Sequence, residues 1–430
     1  MMRSSLLRAP LAWVLAVALV TGACAERLET GATCPILCPG QTLDILDTVL
    51  TDVVAVDSAI GGFPFLGTES PMLLANRGDT LDVRVIVRFD TLTRVWAPVG
   101  DTARPITYLD SLALRVQLLK TAVALPATAF IDAYDVTDTA AVDSLPAQLT
   151  PRFAPEHLLG SLQIDSTGFG DSLTVRIPLD TAKFFAILAD SGRALRIGLR
   201  IRAAGSVAVQ VRAAESGANG PSLRYRVSAD TIVAAKTVLP SSKTPISPDG
   251  IKTEYADYSY VVRAPAVDAP SRLLVGGLPG RRTYIRFALP RWLTDSVAVL
   301  SARLELVQDP LRALDPTRTM KVRGQLVLAG HAMTDLGRAA RLLAPAGTAI
   351  SDSIVTAVGD SGVVRLEMNG AIRQWRTVNG SAPFPPAIVL RPDVDGTDSP
   401  GVRFFSAEAP AGLRPRLRIS YVPAIRYGRP

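Results

Sequence analysis

The sequence predicts an all-β protein: two tandem antiparallel β-sandwich or jelly-roll domains, each with one short helix, behind an N-terminal signal peptide. Three observations predict it. Runs such as "LDVRVIVRF", "LALRVQLL", "LTVRIPL", "LRIGLRI" and "VAVQVRA" alternate apolar and polar residues with period two, the mark of half-buried strands. Turn residues separate these runs at short intervals, as sandwiches and jelly rolls require. The two halves of the 430-residue chain also repeat one another, and a chain of this length exceeds one ordinary domain.

The N-terminus reads as an address. Arg3 and Arg8 precede the apolar run "LAWVLAVALV" at 11–20, then small residues lead to Cys24. That order is the order of a secretory signal, and the run is shorter than the ~20 residues a spanning helix needs. "TGAC" resembles the lipobox of bacterial lipoproteins, which makes residues 1–23 the signal peptide and Cys24 the acylated residue that holds the chain to a lipid bilayer. Ala25 after it fits the class sorted to the outer membrane; the alternative is a secreted protein cleaved nearby. Residues 24–41 form a tether carrying Cys34 and Cys38, the remaining two of three cysteines. An oxidising envelope favours a disulfide between them.

The repeat runs in order through the rest. "LLANRGDTLDVRVIVRFDTL" matches "LLVGGLPGRRTYIRFALP", pairing Arg88-Phe89 with Arg286-Phe287. "DSLALRVQLL" matches "DSVAVLSARLELV", pairing Asp110 with Asp295. "GDSLTVRIPLDTAKFF" matches "GDSGVVRLEMNGAIRQW", and "PSLRYRV" matches "PRLRISYV". The expected division is a first domain over 42–235, a Pro/Ser/Thr-rich linker over 236–250, a second domain over 251–424 and a tail over 425–430. Asp180 and Asn369 stand as N-caps of the one helix in each half.

The second half resembles the DNRLRE domain, a carbohydrate-binding-module-like β-sandwich of bacterial and archaeal surface proteins. "YADYSYVV" (255–262), "RRTYIRFALP" (281–290), "VLSARLELV" (299–307), "GVVRLEMNGAIRQWRTVNG" (362–380) and "RFFSAEAPAGLRPRLRISY" (403–421) carry the resemblance. It implies a secreted, multi-domain surface protein with a non-catalytic role.

Composition narrows the partners. The formal charge of +7 rests on 40 Arg and 6 Lys scattered between Val, Leu and Ile, without blocks of like charge or interleaved aromatics. No nucleic-acid surface is expected; the arginines read as solvated outer faces of strands. "GDSL" (170–173) and "GDSG" (359–362) resemble serine-hydrolase motifs at Ser172 and Ser361, yet they occupy the same place in the repeat and read as turns. His157 and His331 each stand alone, so no enzyme and no zinc site is expected. "DVDGTD" has two readings: a hairpin turn, or a structural calcium site with Asp393, Asp395 and Asp398 as oxygen ligands, the one cofactor candidate. Trp96 and Trp292, in loops after the matched "RF" strands, are the candidate aromatic platforms for sugar. Trp375, replaced by Phe184 or Phe185 in the other half, reads as core. The expectation is a non-catalytic, lipid-anchored outer-membrane protein that binds polysaccharide or another surface polymer or serves as a structural envelope module. Alternatives are a protein–protein module of an envelope complex and, disfavoured, an envelope glycan hydrolase.

Overall fold

Strands form where the period-two alternation lies. A computed structural model describes residues 44–423 except 65, 98–101, 122, 138–145, 190–193, 228–233, 243–254, 264–270, 279, 312–316, 329–348, 377–384 and 396–400. In chain order the strands begin with β1 (Leu46–Leu50), β2 (Val54–Phe63), β3 (Met72–Arg77), β4 (Leu81–Phe89), β5 (Val95–Trp96), β6 (Arg104–Pro105), β7 (Ser111–Lys120) and β8 (Ala129–Asp135). They continue with β9 (Leu158–Ile164), β10 (Ser172–Pro178), β11 (Leu195–Ala203), β12 (Val207–Val211), β13 (Ser222–Arg226), β14 (Lys236–Val238), β15 (Asp257–Arg263) and β16 (Arg272–Gly276). The last are β17 (Gly280–Phe287), β18 (Val297–Asp309), β19 (Thr319–Leu326), β20 (Ala349–Ala357), β21 (Gly362–Glu367), β22 (Ala387–Pro392), β23 (Gly401–Phe405) and β24 (Arg416–Pro423).

Two sheets of 11 strands result, and they share one topology. The first runs β14-β13-β7-β12-β3-β4-β11-β8-β9, with β10 on the free side of β7 and β15 on the free side of β4. The second runs β1-β24-β18-β23-β16-β17-β22-β19-β20, with β21 on β18 and β2 on β17. Each strand of one sheet therefore has a counterpart in the other. Each sheet folds over its own core. In β7 the alternate residues Leu112, Leu114, Val116 and Leu118 are buried, while Ser111 and Lys120 are exposed. Val85, Val87, Ile197 and Leu199 meet them from the opposite layer. The second core joins Ile285, Phe287, Leu304, Leu306, Leu366, Leu417 and Ile419. Each such side chain contributes roughly 1.5–3 kcal/mol by leaving water.

The register also fixes which residues correspond. Arg115 lies between Ser222 and Arg176, and Glu305 lies between Arg416 and Arg365, so β7 aligns with β18 at an offset of 190. The sequence match of Asp110 to Asp295 used 185. Asp295 instead ends the extra helix described below, and a bulge between Val299 and Ser301 takes up one of the five residues of difference.

The strand partners differ from the expected division. β1 and β2 lie in the N-terminal stretch assigned to the first domain, yet β1 pairs along β24 and β2 pairs along β17, both in the second sheet. β14 falls in the expected linker and β15 in the expected second domain, yet they pair with β13 and β4 of the first sheet. The first unit is thus continuous from Met72 to Arg263 and sits inside the second, which is built from 46–63 and 272–423. The physical reason is equivalence. β2 and β15 are counterparts, and so are their acceptors β17 and β4, so alternation alone suits either pairing.

Helices are short. α1 (Thr181–Ala189) is capped as expected: Asp180 Oδ1 accepts from the N–H groups of Ala182 and Lys183 at 2.8 and 3.2 Å. α2 (Arg291–Asp295) is an additional turn that gives the second unit two helices among the described residues. α3 (Asn369–Gln374) begins at Asn369 itself, and Met368 takes the cap position without a side-chain bond. The Asn369 carboxamide is diverted: its Oδ1 accepts from the Ala302 N–H on β18 at 2.6 Å. The turn sequences "DSG" (190–192) and "NG" (379–380), whose glycines read in the sequence as stops for the two helices, lie outside the described residues. No helix among those residues is long and apolar enough to cross a membrane.

Candidate functional site

The structure places the two candidate platforms in different units. Trp96, on β5, pairs with Arg104 of β6 and lies half-buried against the first core. Trp292, on α2, is half-buried on the second core, and its ring lies 5.0 Å from that of Tyr421 on β24 at an interplanar angle of 44°. Tilted pairs of this kind are a favoured aromatic geometry. Trp292 and Tyr421 each keep part of their surface in solvent. Tyr421 was not singled out in the sequence, where nothing links it to a residue 129 positions earlier. Trp375 is buried at 2 % exposure with its ring 5.6 Å from Phe287, and Phe184 is buried 5.8 Å from Tyr225, both core positions as expected. Tyr258 and Tyr260 share a buried face, but it belongs to the first sheet, where they meet Phe153 and Tyr134.

Asp393 and Asp395 face guanidinium groups. Asp393 pairs with Arg323 of β19, and Asp395 pairs with Arg282 of β17 at 2.5 Å and lies 4.0 Å from Arg391 of β22. Arg282 also stacks over Phe63 at 3.9 Å. The loop therefore closes a row of three arginines on neighbouring strands. Asp398 lies outside the described residues, as do Cys24, Cys34, Cys38 and His331. Among the described residues no group of three or more His, Cys, Asp or Glu side chains is placed to hold a metal ion. Ser172 opens β10 with its Oγ 3.3 Å from Gln117 Nε2. The second motif closes a turn, with Asp360 accepting from the Ala357 N–H at 3.0 Å.

The exchanged strands carry carboxyl groups that the sequence reading missed. Asp57 of β2 accepts from the Ala407 N–H at 2.8 Å, next to Glu408. Asp257 of β15 accepts from the Ala214 N–H at 2.7 Å, next to Glu215. These are the same contact in the two units. Burial pushes Asp57 up to about 6, against the Ala407 hydrogen bond, with the charge of Glu408 adding to the rise. Burial pushes Asp257 up to about 7, with the charges of Glu215 and Glu69 adding to it. Glu69, which accepts from Ser259 of the same strand at 3.3 Å, is also raised by burial to about 7. The match of Glu215 to Glu408 in the repeat was the one available signal.

On the outer face of β24, β18 and β21, Glu305 gathers Arg365, Arg416 and Arg418 at 3.2–3.3 Å, and Arg303 pairs with Glu367 at 3.2 Å. Burial works to raise Glu305, but the bonds from Arg365 and Arg418 and the surrounding positive charge outweigh it and hold the carboxyl below its ordinary value.

No family model and no curated protein matches the chain. Among solved structures, empty particles of cowpea mosaic virus align over 87 % of this chain and 90 % of theirs at 8 % identity and a TM-score of 0.16. The tandem CBM22-1–CBM22-2 domains of Paenibacillus barcinonensis Xyn10C align over 89 % and 98 % at 10 % identity and a TM-score of 0.16. Likenesses at this level carry no argument about function. The class defined by the coordinates themselves is an all-β protein of two topologically matched antiparallel units.

Proposed function

We propose that the protein is a non-catalytic lipoprotein of the bacterial cell envelope that binds a polysaccharide or similar surface polymer through its β-sandwich units. The observation that carries the reading is the Trp292–Tyr421 pair, two half-buried rings on the second unit whose centroids lie 5.0 Å apart. Ring faces stack on sugar C–H groups and leave the hydroxyls to polar neighbours. The DNRLRE-like sequence of that unit supports the same reading, and the lipobox-like "TGAC" supports anchoring through Cys24 at the outer membrane. A glycan array with the mature chain tests the binding. Signal on the array that is lost in Trp292→Ala is the expected result, and silence across the array would refute it. Cys24→Ala should move the protein out of the membrane fraction; retention there would refute the anchor.

A further inference from the structure

The two units present the same outer face with different charge. On the layer β14-β13-β7-β10 the outward positions are Thr237, then Ser222, Arg224 and Arg226, then Ser111, Ala113, Arg115, Gln117 and Leu119, then Ser172, Thr174, Arg176 and Pro178. Arg115 stands directly opposite Arg176, and Arg224 occupies the next row. No carboxylate occupies an outward position on these strands. Asp110 and Asp171, just beyond the strand ends, have the parity of the inward residues. Among the described residues Arg176, Arg224 and Arg226 have no carboxylate partner, and Arg115 spends one N–H on the Ala218 carbonyl at 2.9 Å.

The second unit shows what this face requires if it is only to be stable. There the position of Arg115 is held by Glu305, flanked by Arg365 and Arg416, the counterparts of Arg176 and Ser222. Glu305 binds three arginines and Glu367 a fourth. In the first unit an arginine replaces the central carboxylate and Pro178 replaces Glu367. Like charges placed opposite across a strand pair oppose folding. Arg115 and Arg176, about 4.8 Å apart across adjacent strands, with Arg224 one row away and no carboxylate among them, leave the neutralisation to a ligand.

We propose that the outer face of β13, β7 and β10 is a binding site for an anionic polysaccharide, with Arg115, Arg176 and Arg224 pairing carboxylate or sulfate groups in charge-assisted hydrogen bonds. Between the arginines stand Ser111, Gln117, Ser172, Thr174 and Thr237, groups that bond sugar hydroxyls. The face has no aromatic side chain on which a nucleobase would stack, and its single large apolar outward side chain, Leu119, is half-buried and forms no wedge to enter a membrane, so a glycan is the polyanion it fits. The inference rests on the polymer-binding reading and gives the polymer its charge.

The test is titration calorimetry of the mature chain with sodium polygalacturonate, dextran sulfate and neutral dextran at low salt. Arg115→Glu installs the carboxylate of the second unit between Arg176 and Arg224, so it should keep or raise the melting temperature while weakening polyanion binding at least about tenfold. The double variant Arg176→Ser/Arg224→Ser should weaken it as well, and Arg303→Ser, on the other face, should not. Wild-type binding should fall as salt screens the exposed charges. Preference for polygalacturonate over dextran sulfate, or the reverse, separates carboxylate from sulfate, and either supports the site. Binding to dextran alone would overturn the inference and leave the polymer-binding reading standing. Polyanion binding unchanged in both arginine variants would overturn the site, as would tighter binding to duplex DNA or phosphatidylglycerol vesicles than to either polyanion.

Discussion

Asp257 is buried at 2 % exposure on a strand that closes the first unit. Burial and the nearby Glu215 and Glu69 raise its carboxyl from 3.8 to about 7. Each tenfold step in acidity is worth about 1.4 kcal/mol, so the ionised form costs the folded state roughly 4 kcal/mol. Because the folded value is the higher one, this group contributes its full stability below 3.8 and loses it as pH rises through about 7. Asp257→Asn keeps the acceptor for the Ala214 N–H and cannot ionise. The variant should therefore gain on the wild type by about 4 kcal/mol between pH 4 and pH 8, with the gain complete only above neutrality. Urea unfolding followed by circular dichroism at both pH values measures it, as midpoint differences at constant slope. Glu69 titrates in both proteins, and its repulsion of Asp257 is part of what the comparison measures. A variant that loses stability at pH 8, or a difference that does not change with pH, would show that the carboxyl is not held in its protonated form.

Three further outcomes follow from the packing. Glu305→Gln should cost about 1–2 kcal/mol near neutrality, since its three arginines are largely solvated and tolerate its loss. That cost should shrink in acid, because the depressed Glu305 gives stability that is lost as pH falls through its folded value; thermal melts at pH 7 and pH 3 check the direction. Gly198→Ala would place a Cβ 2.4 Å from Phe153 and 2.9 Å from Val136. About 1–3 kcal/mol of destabilisation is expected from such overpacking, read as a lowered unfolding midpoint. Deleting residues 1–63 removes β1 and β2, which should unfold the second unit and spare the first; limited proteolysis with mass mapping tells them apart. Loss of protection in the first unit instead would contradict the observed pairing.

The strand pattern was legible because alternation needs only local sequence: Leu112, Leu114 and Val116 point inward wherever their strand pairs. The exchange of β2 and β15 was not legible, since two equivalent donors and two equivalent acceptors make the patterns interchangeable. Trp375 was readable as core through its aromatic counterpart. Asp393 and Asp395 suggested oxygen ligands because the arginines that face them, Arg282 and Arg323, arrive from strands far away in sequence. That Arg115 stands where the second unit has a carboxylate emerged only once register set it against Glu305.

The insertion of one unit in the other also fixes a load path. The segment Leu46–Phe63 is held along β24 and β17 and then passes directly into the first unit. A pull between the N-terminal end and anything gripped by the first unit acts on the two ends of that segment. The second unit would give way first, by losing β1 and β2, while the first unit keeps its full complement of strands. In a single-molecule pulling experiment between the N-terminal end and the first unit, the early extension is expected to come from residues 46–63.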